Sequence, residues 1–505
     1  MEGLVQCSAN YMPLTPISFL QRAAFVYGDK LSIIYGDDVR FSWRETHERC
    51  IKLASSFVIN LGISYGDIIV VLAPNIPALY ELHFGVPMAG AVLTALNTKL
   101  DATMLASLLE QLEAKIDQTP SSFAKDLSPS ILNYNDLIVM GQADFETIWP
   151  SSELDPISVN YTSGSTGIPK GAVYSHRAAY LNSLATIFRF DMNQMPVFLW
   201  TVDMFRCNGW CFPWVMAALG GTNVCIRNVS AKIIYDSIYL HKVSHFCGAP
   251  KILNTIVEAQ VGDLRPLEFS VDITVAGALP PVKVLMHVTE LGFNLRHGYG
   301  MTEVLGPAIV TPWKPNTEST TPEARNLEDF DVKDPNTMKS VPFDGKTIGE
   351  IMFKGNTLMS GYLKNPKVTQ EAFRGGWYRT GDLAIRQPDG YIKMKDRAKD
   401  IIHYNGEAIS TLEVEAVLLS HPKVLETAVV GKLDKYLGEV PCAFVKLKEG
   451  CGASAEELIK FCGEWLPNHM VPKSVVFGDL PVNSTGKVQK FILRKKANAI
   501  NGVVL

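Results

Sequence analysis

Apolar residues along this chain gather in two kinds of run. Residues 67–73 (Asp-Ile-Ile-Val-Val-Leu-Ala), closed by Pro74, form a short continuous stretch of mostly apolar residues, the signature of a buried strand. Residues 157–161 predict a second short strand, and 76–89 and 176–188 carry helical spacing. Strand-like and helix-like runs alternate across residues 19–97, which is βα grammar and places the chain in the α/β class. Further on, Ser410-Thr411-Leu412-Glu413 and Ser454-Ala455-Glu456-Glu457 match the capping box and mark two helix starts, with residues 427–430 and 443–447 reading as strands between them. That grouping predicts a small α+β unit of about a hundred residues at the C-terminal end.

Between these regions the pattern weakens. Residues 311–345 are polar and rich in Pro, Thr, Asp and Asn, which predicts a long surface connection. Residues 373–382 and 387–391 read as turns, and the charged run 393–400 suggests a boundary. The most apolar long window, 210–226, contains Pro213, two glycines and Asn223, so it predicts core rather than a membrane span. No repeat at solenoid period is visible.

Composition narrows the classes. A chain of 505 residues with 47% hydrophobic and 19% charged positions has room for two to four domains and argues against disorder. A formal charge of -4 and a pI near 6.2 give no electrostatic reason to expect nucleic acid. Nine scattered cysteines, an odd number without metal-like spacing, favour a reducing compartment, and Cys207 and Cys211 read as packing residues. The first residues lack a basic flank and apolar stretch, so no secretory signal is expected, and the final Gly502-Val503-Val504-Leu505 lacks a peroxisomal tripeptide. A cytoplasmic location is therefore expected ahead of a peroxisomal one.

The candidate chemistry begins at residues 161–171, where three glycines, four Ser/Thr hydroxyls and one lysine follow a predicted strand. Glycines let the backbone approach an anion, hydroxyls and N–H groups donate to its oxygens, and the lysine adds charge, so the loop suits phosphate. It is not a Walker loop, because no Gly-Lys-Ser/Thr stands at the required spacing. An exposed, unoccupied turn is the plainer reading of such a loop alone.

Four more segments change that weighting: His297-Gly298-Tyr299-Gly300-Met301-Thr302-Glu303, Tyr378-Arg379-Thr380-Gly381-Asp382, Asp396-Arg397-Ala398-Lys399-Asp400 and Gly486-Lys487. With the loop, they stand in the order of the adenylate-forming superfamily of acyl-CoA synthetases, luciferases and adenylation domains, which the chain resembles over nearly its whole length. Residues 11–16 (Tyr-Met-Pro-Leu-Thr-Pro), Cys207-Asn208-Gly209-Trp210 and residues 484–490 make it most similar to the plant acyl-activating enzymes.

The resemblance implies a large N-terminal domain of sheets flanked by helices with a small barrel-like subdomain (1–395), a hinge (396–400) and a small mobile α+β lid (401–505). It also implies a carboxylic acid substrate, ATP, Mg2+ and coenzyme A, and a two-step reaction through an acyl-adenylate. Thr162, Ser163, Gly164, Ser165, Thr166, Gly167 and Lys170 would hold the β and γ phosphates. Thr302 would meet the α-phosphate and Glu303 the metal. Ala276, Gly277, Ala278, Gly298, Tyr299 and Gly300 would surround adenine, Asp382 would accept the ribose hydroxyls, and Arg397 would reach the nucleotide. Met204, Phe205 and Arg206 would line the acyl pocket, Gly406 the coenzyme A tunnel, with Lys399 as hinge and Lys487 as the catalytic charge. Lys490, Lys495 and Lys496 read as solvated members of a basic tail.

The chain also departs from the plant pattern. Asp203-Met204-Phe205-Arg206 stands where relatives read Pro-Met-Phe-His, so Arg206 either places a charge beside the substrate or pairs with Asp203. Asp203 leaves open an amino-acid-adenylating enzyme, and the altered motif leaves open a catalytically impaired nucleotide-binding homologue. Residues 117–120 read as loop where relatives continue into a strand, so a sheet is expected to lose a strand there, and Tyr404-Asn405-Gly406-Glu407 replaces Ser-Gly-Gly-Glu. A short- or medium-chain fatty acid is expected first as substrate and an aromatic acid second. Oligomeric state is not legible.

Overall fold

The structure is a computed structural model that describes residues 5, 7, 9–113, 116–118, 133–162, 169–277, 280, 282–313, 329–390, 392–483 and 487–500. Contacts divide the chain into two units, the first from residues 1–161, 170–329 and 355–369, the second from 162–169, 330–354 and 370–505.

The first unit is the α/β part. Residues 67–73 supply the strand Ile68–Val71, and the helix Pro77–Met88 follows, opened by the proline at its first position, where a missing N–H costs nothing. Among the described residues its larger sheet has eight strands, in the order Gly306–Pro312, Phe293–Met301, Val271–Ala276, His245–Gly248, Val197–Leu199, Thr222–Cys225, Leu31–Tyr35, Val39–Ser42. Its interior strands pair in parallel and the two outer pairs are antiparallel. Helices Ala231–His241, Lys251–Val257 and Val282–Glu290 cover it with buried Ile234, Leu253, Ile256 and Val288.

A second sheet runs Gly361–Tyr362, Gly171–Ser175, Pro156–Tyr161, Val92–Ala95, Ile68–Val71, Ile116–Gln118. Here the loop reading of residues 117–120 needs correction. Ile116–Gln118 pairs in parallel with Ile68–Val71, so three residues of strand persist at the sheet edge; Thr119 and Pro120 lie outside the described residues. The helix Tyr134–Met140 beyond is anchored by Tyr134, whose hydroxyl donates to Glu81 Oε2 at 2.6 Å. Arg49 also reaches that oxygen, at 3.1 Å, so the buried Glu81 carboxylate is paired rather than stranded.

In the second unit a four-stranded sheet runs Asp329–Lys333, Ile348–Lys354, Tyr378–Arg386, Ile392–Arg397. Its first strand falls within the segment read as a surface connection, and its third begins within the turn-rich stretch 373–382. The α+β unit beyond holds helices Thr411–Ser420 and Ala455–Trp465, each started by the expected serine, whose side chain accepts from the N–H three residues on. They pack on a sheet whose long hairpin, Val424–Asp434 with Gly438–Leu447, contains both predicted strands. No helix among the described residues is long and apolar enough to cross a membrane.

Candidate active site

In the first unit the site grows from strand ends. Pro156–Tyr161 runs into the glycine loop and Gly171–Ser175 leaves it, the two strands pairing antiparallel from Tyr161 with Gly171. Ser163, Gly164, Ser165, Thr166 and Gly167 lie outside the described residues, leaving Thr162 and Lys170 at the loop's flanks. Lys170 Nζ sits 4.4 Å from the centroid of the Tyr362 ring, a cation–π contact. The Tyr362 hydroxyl donates to Glu303 Oε1 at 2.7 Å, and both residues are buried. The backbone of Glu303 is pinned as well, its carbonyl accepting from Met359 N at 3.0 Å. One phenol thus joins two residues expected from motifs 133 positions apart, and pattern reading missed it: a lone Gly-Tyr pair carries no signal of its own.

Thr302 opens the short 3-10 turn Thr302–Val304. The buried Tyr174 hydroxyl donates to its carbonyl at 2.7 Å, and the Cys207 thiol lies 3.6 Å from its Oγ1. Burial pushes the Cys207 thiol pKa up, which keeps it a protonated donor to that hydroxyl. Cys207 begins a run, through Asn208, Gly209, Trp210 and Cys211, in which every φ is positive, between 45° and 66°. Such a left-handed turn costs roughly 1–2 kcal/mol for each non-glycine residue, so it needs holding. Asn208 does this: its Oδ1 accepts from Ser158 Oγ at 2.6 Å and from Asn160 Nδ2, while its N–H donates to Asn160 Oδ1 at 2.8 Å. Asn160 stands two residues before Thr162, so the strand feeding the glycine loop also registers the turn beside Thr302.

Val271–Ala276 and Phe293–Met301 pair in parallel with Ala276 opposite Gly298, bringing Ala276, Gly277, Gly298, Tyr299 and Gly300 to one end of the sheet; Ala278 is outside the described residues. Strand ends of this kind are where open α/β sheets receive ligands. Gly300 has no alternative, since a Cβ there would stand 1.9 Å from the Gly306 carbonyl oxygen. Met204 is buried and Phe205 half-buried, and Arg206 Nε is 2.8 Å from Asp203 Oδ2, so the pairing reading of Arg206 holds.

In the second unit Asp382 and Arg397 face each other across adjacent strands, with Arg397 Nε 3.1 Å from Asp382 Oδ1. The turn carrying Asp382 is organised by a residue the motifs did not flag. Buried Glu350 takes Arg379 on Oε2 (Nη2 at 2.6 Å, Nε at 3.0 Å) and the Gly381 N–H on Oε1 at 2.9 Å. Asn405 and Gly406, with φ of 46° and 85°, form the two-residue hairpin between Ile402–Tyr404 and Glu407–Ile409. Asn-Gly supplies that turn because both of its central residues need positive φ. A Cβ on Gly406 would meet nothing within 4 Å here.

Lys399 has its carbonyl held by Arg494 Nη2 at 2.7 Å, and the same arginine pairs with Asp400. Burial lowers the Lys399 pKa. Lys487 is exposed and its backbone is paired with Asn483, its N–H donating to Asn483 Oδ1 at 3.0 Å. Lys490 corrects the expectation of a wholly solvated tail. Its ammonium lies 2.8 Å from the largely buried Glu415 carboxylate and 2.6 Å from Thr411 Oγ1.

Comparison with known proteins agrees with this architecture. A model of the AMP-binding enzyme family matches residues 20–363, and that of the AMP-binding enzyme C-terminal domain matches 413–487. Probable acyl-activating enzyme 21 of Arabidopsis thaliana is 45% identical, covering 100% of this chain and 99% of its own length. The 2-methylpropanoate–CoA ligase CCL4 of Humulus lupulus is 43% identical over 99% of this chain and 98% of its own. The alignment to the Arabidopsis protein spans 546 positions against 505 residues here, so that relative carries residues this chain lacks. The ATP-bound MatB of Rhodopseudomonas palustris shares the fold with a TM-score of 0.86 at 24% identity, covering 97% of this chain and 100% of its own. With both domains of the family matched in order and relatives of this identity spanning its whole length, the chain belongs to the AMP-binding enzyme family, within its acid–thiol ligase branch of acyl-activating enzymes.

Proposed function

We propose that this protein is an ATP-dependent carboxylic acid–CoA ligase that works through an acyl-adenylate, with a short- or medium-chain fatty acid as first substrate class and an aromatic acid as second. The observation that carries the reading is the joined set Lys170, Tyr362, Glu303 and Thr302 at the strand ends of the first unit. Relatives bearing ligase names act on 2-methylpropanoate, acetate or butyrate, and benzoate, which supports the acid classes.

Mg2+ fits the donors present. Among the described residues no cluster of three metal-ligating side chains occurs, and Glu303 keeps Oε2 without a hydrogen-bond partner. One carboxylate is what a magnesium ion carried in on phosphates requires. When bound, the ion would neutralise charge on the phosphate oxygens. Lys170 and the loop hydroxyls would hold the β and γ phosphates, and the Thr302 hydroxyl, fixed by Cys207, would orient the α-phosphate. The substrate carboxylate attacks the α-phosphorus and pyrophosphate leaves; the thiol of coenzyme A then attacks the acyl carbon and AMP leaves. Asp382 would accept from the ribose hydroxyls, with Arg397 beside it. Lys487 would meet charge that builds on the five-coordinate phosphorus, stabilising the transition state more than the ground state. Residues 396–400 would act as hinge and Gly406 would line the thiol's path. The nine free cysteines suit a reducing compartment, and we place the protein in the cytoplasm.

The amino-acid-adenylating alternative draws on Asp203, which is engaged by Arg206. The test is ATP–pyrophosphate exchange over a panel of acids, with mass detection of coenzyme A products. Exchange with a simple carboxylic acid followed by its thioester is the expected result; ATP binding without exchange for any acid would overturn the reading in favour of an inactive homologue.

A further inference from the structure

We propose that the Asp203–Arg206 pair is a charge filter that restricts the site to monocarboxylic acids and turns away dicarboxylic ones, a proposal that rests on the ligase reading above.

The pair adjoins Thr302 by way of the chain. Arg206 immediately precedes Cys207, whose sulfur is 3.6 Å from Thr302 Oγ1. Its position is fixed from both directions. Upstream, the buried side chain of Asn75 donates to the carbonyls of Trp200 and Val202, both at 2.9 Å, and accepts from the Met204 N–H at 2.8 Å. Downstream, the left-handed turn is locked to Asn160 and Ser158 by Asn208. Within the turn the Arg206 N–H donates to the Asp203 carbonyl at 3.0 Å. The two charges are therefore held by backbone, and their side chains, 30% and 37% exposed, are not sealed in the core.

The chemistry follows from which donors are used. A guanidinium is permanently charged and recruits a carboxylate through paired N–H groups. Here Arg206 spends Nε on Asp203, and its terminal nitrogens make no hydrogen bond among the described residues. Alone, that fork would attract a second carboxylate on a substrate. With Asp203 at 2.8 Å the local charge is cancelled, and a second carboxylate meets an anion as well as a cation. A monocarboxylic acid, whose one charged end must face the α-phosphorus, brings no second charge to the pair and is unaffected.

Butyrate and succinate make the comparison, since they differ by a methyl against a carboxylate. Pyrophosphate exchange should favour butyrate in the natural protein. D203N should raise the succinate-to-butyrate ratio of kcat/KM about tenfold, the size expected for one charge partly screened by solvent. R206Q leaves Asp203 uncompensated and should raise the KM for butyrate more than it lowers kcat, and the double variant D203N/R206Q should recover butyrate use without gaining succinate. A ratio in D203N within about twofold of the natural value overturns the proposal. Should D203N lack a cooperative melting transition, R206Q decides alone, and an unchanged butyrate KM is then the overturning result. No exchange with any acid in the natural protein would instead sink the ligase reading and this inference with it.

Discussion

Lys170 and Lys487 each follow a sequence rich in glycine and hydroxyl residues, yet their surroundings differ. Lys170 rests on the face of Tyr362, whose hydroxyl is committed to Glu303, so its ammonium belongs to a preset arrangement. Lys487 is exposed, and its backbone N–H is held by Asn483 Oδ1 at 3.0 Å. Three residues on, Lys490 has the same charge and is spent on holding the helix Lys490–Ala499 to Glu415 and Thr411. A charge that holds a ligand gains from being fixed beforehand. One proposed to act as charge develops is carried instead on an exposed side chain over a hydrogen-bonded backbone.

Substitutions can break this contrast. Lys487→Ala should cut acyl-adenylate formation by about a hundred- to a thousandfold, the scale of losing a preorganised transition-state charge, while thioester formation from supplied adenylate stays comparatively intact; equal loss in both half-reactions would remove the assigned role. Lys490→Met should cost about 3 kcal/mol in urea unfolding, because it strands the largely buried Glu415 carboxylate. Lys495→Ala and Lys496→Ala should lie within about 0.5 kcal/mol of the natural protein.

A further expectation concerns two buried histidines. Burial pushes the pKa values of His83 and His176 down to about 4, against an unfolded value of 6.5. The unfolded chain then takes up protons first as pH falls, so stability is complete above the unfolded pKa and declines from there through the folded values. At pH 5 each histidine should have cost about 2 kcal/mol, and His176→Asn should flatten the slope of stability against pH between 7 and 5. An unchanged slope would mean that the His176 ring takes up its proton alike in the folded and the unfolded chain.

Tyr362→Phe keeps the ring under Lys170 and deletes the donor to Glu303, so the Mg2+ concentration for half-maximal exchange should rise about tenfold, the effect of losing an outer-shell partner. Titration of Mn2+ binding in the presence of ATP checks the same loss without turnover. Gly406→Ala should cost about 1 kcal/mol from its φ of +85°. A larger loss in thioester formation than in stability would sharpen its assignment to the thiol's path.

The helix starts at Ser410 and Ser454 and the strand at 68–71 were legible because each depends on neighbours in sequence: a hydroxyl reaching three residues on, or an uninterrupted apolar run. The strand Asp329–Lys333 was hidden because its buried Asp331 is polar and is satisfied by Arg386, Lys333 and Ser340, a solution no local pattern displays. The edge strand at 116–118 was missed for a related reason, since three residues carry too little periodicity and owe their form to pairing with Ile68–Val71. Among site residues, those on glycine-rich motifs announced themselves. Tyr362, Glu350, Asn75 and Asn208 did not, because each acts by holding another residue from a distance in the chain.

By itself the sequence determined the family and the α/β class and marked the residues proposed for phosphate, ribose and transition-state charge, since motif spacing and local hydrogen bonding are properties of adjacent residues. Tertiary structure decided which lysines are spent and which exposed, whether Arg206 faces the site as a charge or as half of a pair, and which buried side chains keep Glu303 and Thr302 aimed. Those outcomes depend on partners up to a hundred or more positions away and on burial, which raises the worth of a satisfied polar group and the cost of an unsatisfied one.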